Sequence, residues 1–140
     1  VPAMTFGEKV KKARKELGLT QTELGDKIGV SRRTITSYEA DVFPPRTRDT
    51  YFKLAEVLGV DVNYLLTEGE SFVLNASEQY GPSGRRDARM LVDELTGLFS
   101  GGQMAEEDMD ELMLAIQKAY IIAKEDSRKY TPKKYREKKD

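Results

Sequence analysis

Apolar residues recur three and four positions apart through much of the chain, the spacing that places them on one face of an α-helix. Phe6, Val10, Ala13 and Leu17 make the first such stripe. Thr5 with Glu8 three residues on has the form of a capping box, so a helix is predicted over 5–16, closed by Gly18. Leu24 and Ile28 fall one turn apart on a second helix, and Ile35 and Tyr38 do the same on a third. Gly29 suits the left-handed position that ends a helix, because no Cβ is there to clash, and Ser31 stands where an N-cap is wanted. Residues 20–39, TQTELGDKIGVSRRTITSYE, therefore read as two short helices joined by a tight turn, the second turning Arg32 and Arg33 outward.

After Glu39 the segment ADVFPPRTRD is predicted to be a loop, because Pro44 and Pro45 remove donors and push their neighbours toward extended geometry. A fourth helix is expected over 49–58, burying Tyr51, Leu54, Ala55 and Leu58, and a fifth over 62–66 with Asp61 as N-cap. The periodicity then breaks. TEGESFVLNASEQYGPSG carries turn residues and a short apolar run at Phe72 to Leu74, which predicts a linker over 68–84 with at most a short extended element. Beyond it Ala88, Leu91, Val92, Leu95, Leu98 and Phe99 form a helical stripe closed by Gly101 and Gly102. A last helix over 106–129 turns Met109, Leu112, Met113, Ile116, Ala119, Tyr120 and Ala123 inward, giving an antiparallel helical hairpin over 85–129. Leu114, Ile121 and Ile122 fall off that stripe, and a hairpin this small cannot cover them, so dimerisation is their expected use. Residues 130–140 are basic and polar and read as a flexible tail.

The 140 residues carry a net charge of only -1, but the charge is unevenly placed. Residues 1–66 hold 11 basic and 9 acidic side chains, 67–127 hold 5 and 13, and 128–140 hold 7 and 2, leaving +2, -8 and +5. Binding to phosphate needs a basic face and not a basic protein, so this balance permits a nucleic-acid partner without arguing for one. The chain has no cysteine and no histidine, which removes the usual zinc ligands and the most versatile acids, bases and nucleophiles. No enzyme, no metal and no cofactor are expected. The acidic cluster Glu106, Glu107, Asp108, Asp110 and Glu111 lacks the order of a calcium loop and reads as a solvated helix start. Lys9, Lys11, Lys12 and Lys15 read likewise as a solvated face. No run approaches the ~18 apolar residues of a membrane span, and with no disulfide framework the expected location is the cytoplasm.

The pattern TQxEL…IGVSxxTIxxYE, with LAEVLGVDVNYLL further on, resembles the helix-turn-helix of the Cro/CI-type repressors, the XRE family, over about residues 4–66. Gly25 departs from the alanine usual there, at a cost of roughly 1 kcal/mol in helix propensity. The resemblance implies an all-α fold: a five-helix repressor-like DNA-binding domain over 4–67, followed by the linker and the C-terminal helical hairpin. Double-stranded DNA is then the partner. Arg32 and Arg33 open the recognition helix, where an arginine fork matches the two acceptors of guanine, and the family positions add Thr36 and Ser37 as base-facing candidates. Gln21 and the loop residues Arg46, Thr47 and Arg48 match phosphate-contacting positions, Ser31 and Thr34 are secondary phosphate candidates, and Arg14 with Glu39 matches a structural ion pair. The expected function is a sequence-specific transcriptional regulator acting as a dimer on a pseudo-palindromic operator. The alternative is an antitoxin-type interaction protein, whose C-terminal hairpin binds another protein while the N-terminal domain represses its own operon.

Overall fold

The computed structural model describes residues 4–98 and 105–129, and among these the fold is all-α. Five helices come first: α1 (Phe6–Glu16), α2 (Gln21–Ile28), α3 (Arg32–Glu39), α4 (Arg48–Leu58) and α5 (Val62–Leu65). Two long ones follow, α6 (Glu68–Leu98) and α7 (Glu106–Lys129). The first five enclose a core in which Val10, Leu24, Ile35, Tyr51, Leu54 and Leu65 are essentially inaccessible. Phe6 meets the rings of Tyr38 and Tyr51 edge-on at 6.0 and 5.6 Å, an arrangement aromatic quadrupoles favour. Burial raises the phenol of Tyr51 far above its ordinary titration range and keeps it neutral.

Each short helix starts at a hydroxyl or carboxylate cap: Thr5, Thr20, Ser31, Thr47 and Asp61 accept from backbone amides of the following turn. The reciprocal capping box is at Thr20 and Glu23, not at Thr5. Thr5 instead donates its hydroxyl to Asp41 Oδ2 at 2.6 Å, while Asp41 Oδ1 accepts from the Gly7 amide at 2.8 Å. Asp41 does this from a left-handed backbone, φ 56°, which aspartate tolerates better than most residues. These bonds fasten the start of α1 to the end of α3. At the crossing a Cβ on Gly7 would sit 2.5 Å from the Glu39 carbonyl oxygen, so only glycine fits. Two expectations for α1 are corrected. Leu17 is 51% exposed because the chain turns away at Gly18. Lys9 belongs to the interior and not to the solvated face: its Nζ donates to the Tyr64 carbonyl at 2.9 Å and lies over the Tyr64 ring.

The larger correction concerns 68–84. No linker stands there: α6 runs from Glu68, and its only non-helical residue is Gly81, φ 69° and ψ -157°, where the helix kinks ahead of Pro82. The first arm, 68–80, is buried on two sides. Leu74 completes the first core, while Phe72, Val73 and Ala76 meet Ala88, Val92 and Met113 in a second. The expected hairpin is thus closed by a third helical segment. Arg89 joins the two arms of α6 through a bidentate pair with Glu70, 2.7 Å on each side. Tyr120 of α7 stacks edge-on with Phe72 at 5.5 Å and donates to Asp87 at 3.0 Å. Ala119 and Ala123, expected inward, are exposed, because α7 centres its inner face on Met113 and Tyr120. Phe99, Gly101, Gly102 and the tail 130–140 lie outside the described residues.

Phe72 is 1% exposed, and truncating such a side chain leaves a cavity as well as losing its transfer energy. Phe72→Ala should lower unfolding free energy by about 3 kcal/mol in a urea titration. A variant as stable as the parent would restore the linker reading.

Candidate nucleic-acid interface

Helix α2 ends at Gly29, φ 79°, whose amide returns to the Gly25 carbonyl, and Val30 leads directly into the Ser31 cap of α3. Gly25 is packed under this turn: a Cβ there would lie 2.6 Å from the Val30 carbonyl oxygen, so the reduced helix propensity is set against close passage of the chain. Ser31 accepts from the Thr34 amide at 3.2 Å, and the two hydroxyls lie 3.1 Å apart. Ile35 and Tyr38 anchor α3 in the core. Arg32, Arg33 and Thr36 are exposed, and Ser37 is half-buried beside them. Neither Arg32 nor Arg33 pairs with an acidic group among the described residues, so both guanidinium forks face solvent at the positive end of the α3 dipole.

The position of α3 is held by a polar network under its surface. Arg14 reaches Glu39 through two parallel bonds, Nε to Oε2 at 2.6 Å and Nη2 to Oε1 at 2.9 Å, and gives Nη1 to the Leu19 carbonyl at 2.8 Å. The side chains are 10% and 4% exposed. Hydrogen bonding to Glu39 raises the Arg14 pKa, with burial opposing it. Gln21 donates from Nε2 to Glu39 Oε1 at 3.2 Å, and its carbonyl Oε1 lies 3.0 Å from the Thr36 hydroxyl, which also faces the Arg32 carbonyl at 3.0 Å. The sequence-predicted ion pair is therefore in place. It extends through Gln21 to a residue on the outer surface of α3.

Three other site candidates stand differently from their expected roles. Gln21 is half-buried and engaged at both ends of its amide, which makes it a brace of α3 before it is anything else. Thr36 is exposed as expected, but its single hydroxyl proton is used inward. Arg48 does not face outward from the proline loop: its guanidinium binds Asn75 and pairs with Glu78 at 3.3 Å, both on α6. Its guanidinium is thus engaged with α6, a neighbour that no sequence pattern places there. Arg46 and Thr47 remain exposed, with Thr47 capping α4. The residue that sequence reasoning misses is Asp41, whose one signal is an aspartate after a helix end. No group of three or more His, Cys, Asp or Glu side chains suited to a metal ion occurs among the described residues.

Two packed helices joined at a tight glycine turn, the second capped by serine and carrying unpaired arginines at its exposed start, define a helix-turn-helix DNA-binding regulator. The helix-turn-helix family model matches residues 10–65. The chain is 32% identical over 141 residues to the immunity repressor protein of Bacillus phage phi105, covering 95% of this chain and 96% of that one. It is also 32% identical over 105 residues to the HTH-type transcriptional regulator ImmR of Bacillus subtilis (strain 168), covering 74% and 82% of the two chains. The crystal structure of the P22 c2 repressor with a synthetic operator overlays with a TM-score of 0.43 at 28% identity, covering 45% of this chain and 94% of that one. The chain belongs to the helix-turn-helix family of Cro/CI-type transcriptional regulators. No helix among the described residues is long and apolar enough to cross a membrane.

Removing one partner of a buried pair strands the other charge, at about 3 to 5 kcal/mol. Glu39→Ala should therefore destabilise by about 3 kcal/mol, and Arg14→Ala should add little to it in the double variant. Additive effects in chemical denaturation would show that the two side chains act independently.

Proposed function

We propose that the protein is a sequence-specific repressor that binds a pseudo-palindromic operator as a dimer, each copy placing α3 in the major groove. The observation that carries this reading is the pair Arg32 and Arg33, exposed and unpaired at the start of a helix braced from beneath by Arg14, Glu39 and Gln21. An arginine at this place can bond guanine O6 and N7 together, while its neighbour holds a phosphate. Ser37 adds a small contact, and Thr36 serves both the surface and the brace. Ser31, Thr34, Arg46 and Thr47 supply backbone contacts on either side of the groove, with the first amides of α3 available to a phosphate.

The dimer rests on the C-terminal unit. Leu114 and Ile122 on α7 are 41% and 61% exposed and Leu98 on α6 is 76% exposed, while Ile121, the third predicted member, is half-buried. Joining two half-site readers turns the second binding event into an intramolecular one, at roughly millimolar effective concentration. Two recognition helices about 34 Å apart then fit successive major grooves on one side of the duplex. Cutting the chain after Thr67 is a poor test of this arrangement, because it removes Leu74 from the first core.

Alanine at whichever of Arg32 and Arg33 reads guanine should cost about 1 to 3 kcal/mol and relax one base position in sequences selected from a random pool. Alanine at the phosphate-bound one should lower all sequences alike. If the folded double variant selects and binds the same sites as tightly, α3 is not the reading helix. For the dimer, Leu114→Asp with Ile122→Asp should give a monomer in light scattering that keeps the half-site preference and binds the full operator ~100-fold or more weakly. A parent that is itself monomeric on and off DNA would turn this face over to a different protein.

A further inference from the structure

We propose that Arg85, with Arg86 beside it, holds the DNA backbone from the C-terminal unit, continuing the phosphate-binding surface that begins at Arg46. The inference rests on the reading of Arg46 as a backbone contact given above. It adds a second element of the molecule to the DNA interface, one that the helix-turn-helix does not contain.

The first observation is where the bases of the acidic half are placed. Residues 67–127 hold 13 acidic and only 5 basic side chains, and three of those five are Arg85, Arg86 and Arg89. The second is what the kink at Gly81 does with them. By folding α6 back on itself it brings Arg85 and Arg89 against the proline loop, where they line a cavity of about 90 Å³ together with Pro44, Pro45, Arg46 and the carboxylate of Glu70. The arginine cluster of the C-terminal unit thus meets the one loop of the N-terminal helices that carries an exposed arginine next to the recognition helix.

Local pairing then decides which of these cations has charge to offer. Arg89 is satisfied by Glu70 through two bonds of 2.7 Å. Glu78 is taken by Arg48 at 3.3 Å, and Asp87 by Lys124 at 3.5 Å and by the Tyr120 hydroxyl at 3.0 Å. The acids of the neighbourhood are therefore engaged. Arg46, Arg85 and Arg86 have no acidic partner among the described residues, and they leave a local excess of positive charge on an otherwise acidic unit. Asp93, which borders the outer groove with Arg85 and Arg86, leans to Arg89 at 3.9 Å.

Half-burying a guanidinium without a counter-charge is costly, and an arriving phosphate removes that cost while accepting two parallel bonds. Phosphates of one strand succeed each other every ~3.4 Å of axial rise, so a side chain sharing a cavity with Arg46 falls at a neighbouring phosphate of the same strand. A free phosphate would use the same chemistry. The exposure of Arg46 and Arg86 argues for the duplex, because an enclosed small-anion site would turn all its donors inward.

The test measures affinity of the full-length protein for its selected operator as a function of salt. Removing a single arginine–phosphate bond should lower the slope of log K against log salt by about one, so between about 50 and 200 mM salt the affinity of a single variant should fall about threefold less than that of the parent. Arg86→Ala and Arg85→Ala should each show this, equally for operators altered at their bases, and Arg85→Lys should keep the parental slope. Arg86 is exposed, so its variant remains informative if Arg85→Ala proves poorly folded in a thermal melt. An unchanged slope in the double alanine variant overturns the proposal, while base selection through Arg32 and Arg33 would stand. Inorganic phosphate that raises the parental melting temperature in an Arg85-dependent way, with no change of DNA slope, also overturns it in favour of a small-anion site. A parent with no salt-dependent DNA binding sinks this proposal and the functional reading together.

Discussion

The Arg14 and Glu39 pair is the interaction on which the placement of the exposed face of α3 depends. Helix α3 is only Arg32–Glu39, two turns, too short to be stable in water by itself, and its direction is set by what it packs against. Ile35 and Tyr38 fix its depth. Its rotation is fixed by Glu39, whose carboxylate accepts from α1 through Arg14 and from α2 through Gln21. Taking two charges from water costs several kcal/mol per ion, and the pair recovers this only because the fork geometry is good and the remaining donors reach the Leu19 carbonyl. The result is a surface helix whose outer residue Thr36 is connected, through Gln21, to a buried ion pair.

Most of this part of the molecule is legible in the sequence, for a physical reason. Short helices around one core must bury a stripe each, so their apolar spacing is visible, and their ends need caps and glycines whose side chains announce them. Leu24, Ile28, Ile35 and Tyr38 can be placed from spacing alone, and Ser31 from its hydroxyl. What sequence does not show are polar side chains whose partners are distant in the chain. Lys9 looks like any lysine on an amphipathic helix until α5 presents the Tyr64 carbonyl to it. Arg48 gives no sign in the sequence of its contact with α6, where Glu78 and Asn75 meet it. Asp41 becomes a clamp only because α1 begins beside it.

The difference at 68–84 has the same origin in another form. A helix buried on one side shows a stripe, whereas one buried on two sides shows a run, and Phe72, Val73, Leu74 and Ala76 are divided between two cores. The run resembles a short extended element for that reason. Gly81 and Pro82 do stop a straight helix. They end one arm and start the next: the left-handed φ of Gly81 redirects the chain, and Pro82 is tolerated because the first turn of a helix needs no donor from it.

That buried arm changes how the two halves of the molecule act on each other. A disordered connection would let the recognition helices of a dimer sample many separations, and effective concentration falls as the linker becomes longer than the span it must bridge. Here Leu74 sits in the first core, and Arg48 crosses from α4 to α6. The spacing of the two reading surfaces in the proposed dimer is then set by packing, and the ordering cost is met during folding instead of at the operator. The same seam presses the proline loop against the second arm of α6, so the position of Arg46 depends on the C-terminal unit even though the loop belongs to the helix-turn-helix half. In the proposed complex, substitutions in the second core therefore alter DNA affinity through the loop, without touching α3 and without changing which bases it reads.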